Sequence, residues 1–86
     1  MAVYSIFFKD SVRKDLDSIP SNYLRRIMER IEFLAENPRP VGCEKLSAQE
    51  KYRIRQGDYR IIYSIQDTQL TVWVVKVGHR REVYRN

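Results

Sequence analysis

The sequence predicts a single α+β domain in which a helical hairpin packs on one face of a small, mainly antiparallel, twisted sheet. The hydrophobic pattern changes from a strand period to a helical period near residue 10, and it returns to a strand period near residue 52. The later strand segments are separated by very short turns, which favours antiparallel neighbours. A chain of 86 residues, 43% of them hydrophobic, suffices for one core and therefore for one domain over residues 1–86.

The first half of the chain predicts one strand followed by two helices. Residues 3–8 are rich in β-branched and aromatic side chains, which favour a strand. A helix is predicted from Asp10 to the break at Pro20. Its apolar positions at helical spacing are Val12, Leu16 and Ile19.

A second helix is predicted after Ser21, which is suited to its N-cap, and it ends at Asn37–Pro38. Its apolar stripe consists of Leu24, Ile27, Met28, Ile31, Leu34 and Ala35. Two helices joined by a tight turn form a hairpin, and this stripe needs a sheet to cover it.

The second half predicts a loop over residues 39–50 and then three strands, over residues 52–55, 59–65 and 70–77. Turns are expected at residues 57–58 and 67–68, and Gly78 is expected to end the sheet before a basic tail over residues 79–86. The predicted order is therefore β-α-α-β-β-β.

Charge is distributed unevenly between the two halves. Residues 1–44 carry seven basic and seven acidic side chains, whereas residues 45–86 carry nine basic and four acidic ones. The whole net charge of +5 therefore belongs to the second half. Such segregation favours a surface that faces phosphate groups, although a mixed solvated surface on a basic protein is the alternative.

Basic and apolar side chains alternate in residues 52–55, so Arg53 and Arg55 point to one face of the sheet and Ile54 to the other. Arg60 has the parity to join both arginines on the face away from the helices. Three like charges on one face repel each other, and an incoming phosphate would neutralise them. The structural alternative is that they form surface salt bridges. The acidic residues available for that are Glu44, Glu50 and Asp58.

The tail adds side chains of other chemistry. Arg80 and Arg81 extend the positive charge, and Tyr84 supplies a phenol that can stack on a base or donate a proton. His79 titrates near neutrality without perturbation. The structural alternative is that His79 is a turn residue and that Tyr84 anchors the tail.

Other kinds of site find no support in the sequence. It has no glycine-rich phosphate loop, and with one histidine and one cysteine no metal site or other cofactor is expected. Cys43 cannot form an internal disulfide, which favours the cytoplasm. No segment resembles a signal peptide or a membrane span.

Several segments together resemble the RelE/ParE toxin superfamily of type II toxin–antitoxin systems. They are Lys45-Leu46, residues 52–55 (YRIR), residues 57–63 (GDYRIIY) and residues 77–84 (VGHRREVY). The resemblance implies a RelE-like microbial RNase fold and a toxin held inactive by a cognate, RelB-like antitoxin in a hetero-oligomer. The basic strands and the terminal Arg/Tyr set resemble the RelE-like branch, whose members cut mRNA in the ribosomal A site. ParE-like members, which poison DNA gyrase, generally lack that set.

The resemblance also implies roles for individual residues. Its active-site positions correspond here to Arg53, Arg55, Arg60, Arg80 and Tyr84. His79 is added as a second candidate for proton transfer, on its chemistry alone. The other basic residues expected to contact RNA are Lys45, Lys51, Arg81 and Arg85. The best-known pattern has lysines where this chain has Arg53 and Arg55, and an arginine cannot act as a base.

The expected function is thus a metal-independent, ribosome-dependent endoribonuclease in which the 2′-hydroxyl of mRNA attacks the adjacent phosphate. Two alternatives are a gyrase poison without RNase activity and a non-catalytic module that binds RNA or an acidic partner.

Overall fold

The computed structural model describes residues 3–46 and 50–83, which form five strands and three helices. The strands are β1 (Ser5–Phe8), β2 (Glu44–Leu46), β3 (Lys51–Gln56), β4 (Tyr59–Gln66) and β5 (Thr71–His79). The helices are α1 (Asp10–Asp17), α2 (Ser21–Phe33) and α3 (Arg80–Val83), and a 3₁₀ turn (Asp67–Gln69) joins β4 to β5. None of the helices in these ranges has the length and apolarity to cross a membrane.

The strands form one sheet in the order β1-β5-β4-β3-β2. Strands β2 to β5 are antiparallel to their neighbours, whereas β1 lies parallel to β5. A parallel partner requires a long connection, and here the helical hairpin and the later strands lie between β1 and β5. The predicted α+β fold, with a helical hairpin on one face of a mainly antiparallel sheet, is confirmed.

The core lies between the hairpin and one face of the sheet. Helix α2 contributes Ile27, Ile31 and Leu34, whose spacing puts them on one stripe, and each is fully buried. The sheet and α1 contribute the other fully buried apolar side chains: Val12, Ile54, Ile61, Tyr63, Val72, Val74 and Val77. The alternate side chains of β3 and β4 therefore point to the opposite face, which we call the open face.

Strand β2 lies inside the segment that the sequence predicted as a loop over residues 39–50. It pairs antiparallel with β3, with Glu44 opposite Arg53 and Leu46 opposite Lys51. A polar strand of three residues at the edge of a sheet has no hydrophobic period of its own, so it exists because β3 offers unpaired backbone groups.

Strand β5 continues through Gly78 to His79, so the expectation that Gly78 ends the sheet was wrong. Gly78 pairs with Arg60, and Tyr59 pairs with His79, which keeps the ladder with β4 intact. The predicted tail then begins as α3. Ser21 is the first residue of α2 rather than its N-cap, a position that Pro20 takes without a side-chain hydrogen bond.

A cluster of polar side chains connects the loop after α2 to β3, to the turn between β4 and β5, and to the residue before β1. The Arg39 guanidinium donates two hydrogen bonds to the Asp67 carboxylate, at 3.2 and 3.0 Å. The Tyr4 hydroxyl donates to the same carboxylate at 2.8 Å, and Arg39 also donates to the Tyr52 hydroxyl at 3.3 Å. Asp67 is therefore the common acceptor of the cluster.

We expect Asp67→Asn to make the free energy of unfolding less sensitive to acid. Hydrogen bonds from Arg39 and then Tyr4 hold the pKa of Asp67 below its ordinary value of 3.8. A lowered pKa stabilises the fold above the unfolded-state value, and this contribution is lost as the pH falls through the folded-state value. Urea unfolding between about pH 2 and pH 6 measures the slope.

The control is Asp17→Asn, since Asp17 is exposed and has no ion-pair partner among the described residues. Equal acid slopes for Asp67→Asn and the unmodified chain would contradict the assigned role of the cluster.

Candidate functional site

Three arginines share the open face where β3 and β4 pair. Arg55 lies directly opposite Arg60, and Arg53 lies opposite Ile62 two residues further along β3. Directly opposite residues have Cβ atoms about 5 Å apart, so Arg55 and Arg60 are close neighbours of like charge. This is the arrangement that the alternation of residues 52–55 predicted.

Glu44 is the carboxylate that β2 brings to these arginines. Its Oε1 atom lies 3.0 Å from Nη2 of Arg53 and 4.0 Å from Nη2 of Arg55. The hydrogen bond from Arg53, the charge of Arg53, and the charges of Arg55 and Arg60 lower the pKa of Glu44 below its ordinary value of 4.5. The salt-bridge alternative is thus realised in part, but one carboxylate serves two guanidinium groups.

Arg60 is 5% exposed, although its neighbour Arg55 is exposed. Its Nη1 atom donates long hydrogen bonds to the carbonyls of Gly57 (3.4 Å) and Tyr59 (3.3 Å). Gly57 adopts a left-handed conformation with φ of +60°, which a glycine adopts without strain. The start of β4 and the turn before it therefore contribute to the direction of the Arg60 guanidinium.

Arg80 is attached to the same turn. Its backbone N–H donates to the Asp58 carbonyl at 2.8 Å, which extends the β4–β5 ladder by one bond at the point where α3 begins. The Arg80 and Arg81 residues are both exposed. The Arg60 side chain and the Arg80 backbone are thus both hydrogen-bonded to the Gly57–Asp58 turn.

His79 does not join these arginines. It pairs with Tyr59, and the two rings are in edge contact at 5.8 Å on the helix side of the sheet, where Tyr59 also contacts Tyr23 of α2. Because neighbouring strand residues alternate, Gly78 and not His79 lies opposite Arg60. The expectation that His79 shares a site with the arginines, based on its nearness to Arg80 in sequence, does not fit this geometry.

The other residues that the sequence predicted for the site, one catalytic and three in contact with RNA, separate into three groups. Lys51 lies opposite Ser64 and shares the open face with Arg53. Lys45 lies opposite Tyr52, on the other face, with its Nζ atom 3.7 Å from Glu50. Tyr84 and Arg85 lie outside the described residues.

The open face also has an aromatic pair that was not predicted from the sequence. Phe7 and Trp73 lie opposite each other on β1 and β5, and their rings stack at 5.1 Å. Both remain exposed, by 46% and 37%. Trp73 lies opposite Ser64, which has the parity of Arg60, so the alternation of β5 relative to β4 was the signal that could have identified it.

The known proteins that this chain resembles in sequence are toxins. A family model described as the ParE toxin of the type II toxin–antitoxin system parDE matches residues 6–84. The toxin RelG of Mycobacterium tuberculosis is 31% identical over 95% of this chain and 97% of its own length. The mRNA interferase toxin RelE of Escherichia coli is 27% identical over 94% of this chain and 90% of its own length.

Solved structures show the same relationship. The toxin–antitoxin complex RelBE2 of Mycobacterium tuberculosis contains a chain with a TM-score of 0.83 and 29% identity, covering 93% of this chain and 94% of that one. The archaeal RelE–RelB complex of Pyrococcus horikoshii gives a TM-score of 0.81 and 31% identity, with coverage of 93% and 97%. On sequence and fold together, this chain belongs to the RelE/ParE family of toxins of type II toxin–antitoxin systems.

Proposed function

We propose that this toxin is a ribosome-dependent endoribonuclease that cuts mRNA in the ribosomal A site. The observation that carries the proposal is the set of three arginines on one face of β3 and β4, namely Arg53, Arg55 and Arg60, with the Arg80 backbone bound to the turn that joins these strands. Guanidinium groups match the oxygens of phosphate, and their convergence suits the charge that develops when a phosphodiester is attacked. The relative in Escherichia coli is named an mRNA interferase, which supports the same activity.

In the proposed reaction RNA supplies its own nucleophile, so the chemistry needs no metal. The 2′-oxygen bonds to the adjacent phosphorus as the bond from phosphorus to the 5′-oxygen breaks, which leaves a 2′,3′-cyclic phosphate and a 5′-hydroxyl. Arg60 and Arg80 bind the nonbridging oxygens, whose negative charge grows in the transition state. Arg53 and Arg55 support the RNA backbone electrostatically.

Two protons must move in this reaction. The family resemblance assigns protonation of the leaving 5′-oxygen to Tyr84. The proton of the 2′-hydroxyl cannot go to Arg53 or Arg55, because a guanidinium stays protonated. His79 lies on the other side of the sheet, so in the proposed reaction the 2′-hydroxyl proton passes to a solvent water, while Tyr84 gives its proton to the leaving 5′-oxygen.

The proposed partner is a RelB-like antitoxin in a toxin–antitoxin hetero-oligomer, and the proposed compartment is the cytoplasm, where mRNA is translated. The structural relatives from Mycobacterium tuberculosis and Pyrococcus horikoshii were solved as complexes of toxin with antitoxin. A cytoplasmic toxin that attacks translation must be masked until it is released. An antitoxin segment laid over the open face would neutralise the exposed arginines.

The test of this function is to map mRNA 5′ ends after brief induction of the toxin. We expect new 5′ ends within translated regions, and purified toxin should cut mRNA on ribosomes to give 2′,3′-cyclic phosphate ends. A second candidate, a gyrase poison, is favoured by the ParE description of the matching family model. It predicts a DNA-damage response without new mRNA ends. Tight, salt-dependent RNA binding without cleavage would instead indicate a binding module.

We expect Glu44→Gln to tighten binding of single-stranded RNA by about two- to five-fold, the range expected for one exposed ion pair. The substitution removes the negative charge beside Arg53 and Arg55, so phosphate no longer competes with this carboxylate for them. Fluorescence anisotropy with an RNA that carries a 2′-O-methyl group at the cleavage position measures this affinity. Glu32→Gln, an exposed position on α2, is the matched control. Weaker binding by Glu44→Gln would show that Glu44 has another role.

A further inference from the structure

A basic cleft lies at the edge of the sheet, between α2 and the β2–β3 pair. It has a volume of about 380 Å³ and is lined by Arg30, Gly42, Cys43, Glu44 and Arg55. Strand β2 pairs with β3 only as far as Arg53, so Arg55 lies beyond the start of β2. The chain reaches β2 through Gly42, whose φ of +91° and missing side chain leave this wall of the cleft open.

Arg30 of α2 is the unusual residue of this cleft. Its Nε atom is buried and has no hydrogen-bond partner, and no hydrogen bond or ion pair to another described residue involves its side chain. Buried donors in native proteins are nearly always satisfied, and an exception has a cause such as strain, a functional role, or a bound water or ion. A partly buried arginine whose Nε atom has no partner, in one cleft with a second arginine, is suited to bind an anion.

The cleft has more positive than negative side chains, as the binding of an anion requires. Glu44 is the acidic residue among the lining side chains, and its carboxylate is hydrogen-bonded to Arg53 at 3.0 Å. The distance from Glu44 to Arg55 is longer, at 4.0 Å, so Arg55 can turn toward a ligand in the cleft at little cost. Arg30 and Arg55 then present two guanidinium groups to one anion.

We propose that this cleft binds a phosphate of the RNA backbone, next to the phosphate that is cleaved on the open face. Arg55 and Glu44 line both places, which makes the cleft a continuation of the arginine face around the edge of the sheet. The identity of the ligand as RNA rests on the proposed function. The prepared anion site itself rests on Arg30.

The first experiment compares Arg30→Gln with Arg26→Gln, which removes the same charge from an exposed position of the same helix. The probe is a short single-stranded RNA with a 2′-O-methyl group at the cleavage position. We expect Arg30→Gln to weaken binding by about 5- to 10-fold and to reduce the slope of log affinity against log salt by about 0.7, the value for one phosphate contact on a single strand. Arg26→Gln should change affinity by less than about two-fold.

The second experiment separates binding from a structural role. Arg30→Met keeps the aliphatic stem and removes the buried donor, so the urea midpoint should stay the same or rise if Arg30 serves a ligand. In the unmodified protein the Nε–Hε resonance of Arg30 should shift on addition of the RNA. A shift with inorganic phosphate alone, without an Arg30-dependent change in RNA affinity, would overturn the assignment to RNA.

The inference fails if Arg30→Gln and Arg26→Gln weaken RNA binding equally, or if Arg30→Met markedly lowers the urea midpoint. These measurements use RNA that cannot be cut, so they do not depend on catalysis. A toxin that cuts mRNA but binds RNA independently of Arg30 overturns this inference and leaves the proposed function standing. Arg30-dependent binding without new mRNA ends supports the cleft and overturns the proposed nuclease.

Discussion

Arg80→Ala is expected to lower the rate of ribosome-dependent mRNA cleavage by about 100-fold or more, the usual cost of removing one donor to a transition-state oxyanion. Arg80 is exposed, and what attaches it to the sheet is its backbone N–H, which alanine keeps. Thermal unfolding should therefore be unchanged. Single-turnover cleavage of a programmed ribosome measures the rate, and circular dichroism measures the melting temperature.

The matched control for this prediction is Arg25→Ala, an exposed arginine on α2 that loses the same charge. A general electrostatic effect would slow both variants alike, whereas a specific contact slows the Arg80 variant alone. Tyr84→Phe should also abolish growth arrest, because it removes the phenolic proton. If Arg80→Ala and Tyr84→Phe both remain fully toxic, the assignment of the catalytic residues is wrong.

Arg60→Lys is the second substitution with a large expected effect, and it preserves the charge. A lysine has no planar fork, so it cannot hold the direction that the Gly57 and Tyr59 carbonyls give to the Arg60 guanidinium. We expect cleavage to fall by about 100-fold while affinity for uncut RNA changes by less than about three-fold, because the lost contact acts in the transition state. The free energy of unfolding should fall by about 1 kcal/mol with the two hydrogen bonds.

Arg13→Lys, at an exposed position of α1, is the control for the chemical change from arginine to lysine. We would compare kcat and KM for the two variants. A lower kcat at unchanged KM would place the lost contact in the transition state. An Arg60→Lys toxin that loses RNA affinity in proportion to its cleavage rate would show that Arg60 binds the ground state only. A fully active Arg60→Lys toxin would exclude Arg60 from the reaction.

The sequence predicted burial best in segments where a helical or strand periodicity of apolar residues extends over several positions. The helical stripe of α2 and the alternation of residues 52–55 correctly predicted the buried side chains Ile27, Ile31 and Ile54. The same alternation placed Arg53 and Arg55 on the open face. Side chains of a strand alternate between two faces, so once the apolar ones face the helices, the face of every other side chain follows.

Tertiary pairing decided what the sequence did not show. Strand β2 is too short and polar to have a pattern, yet it supplies Glu44 to the arginines. Nearness in sequence suggested that His79 and Arg80 act together, but the β4–β5 register turns His79 to the helix side. Arg30 was not predicted either, because an arginine on the polar face of an amphipathic helix is ordinarily solvated, whereas its Nε atom is buried in the folded chain.

The most direct test is a structure of the toxin on a ribosome with mRNA that carries a 2′-O-methyl group at the cleavage position. The proposed mechanism predicts one phosphodiester with its nonbridging oxygens within hydrogen-bonding distance, about 2.7–3.2 Å, of both Arg60 and Arg80, and with Arg53 and Arg55 along the adjoining backbone. A phosphate bound away from the Gly57–Asp58 turn, with Arg60 and Arg80 not contacting RNA, would contradict it.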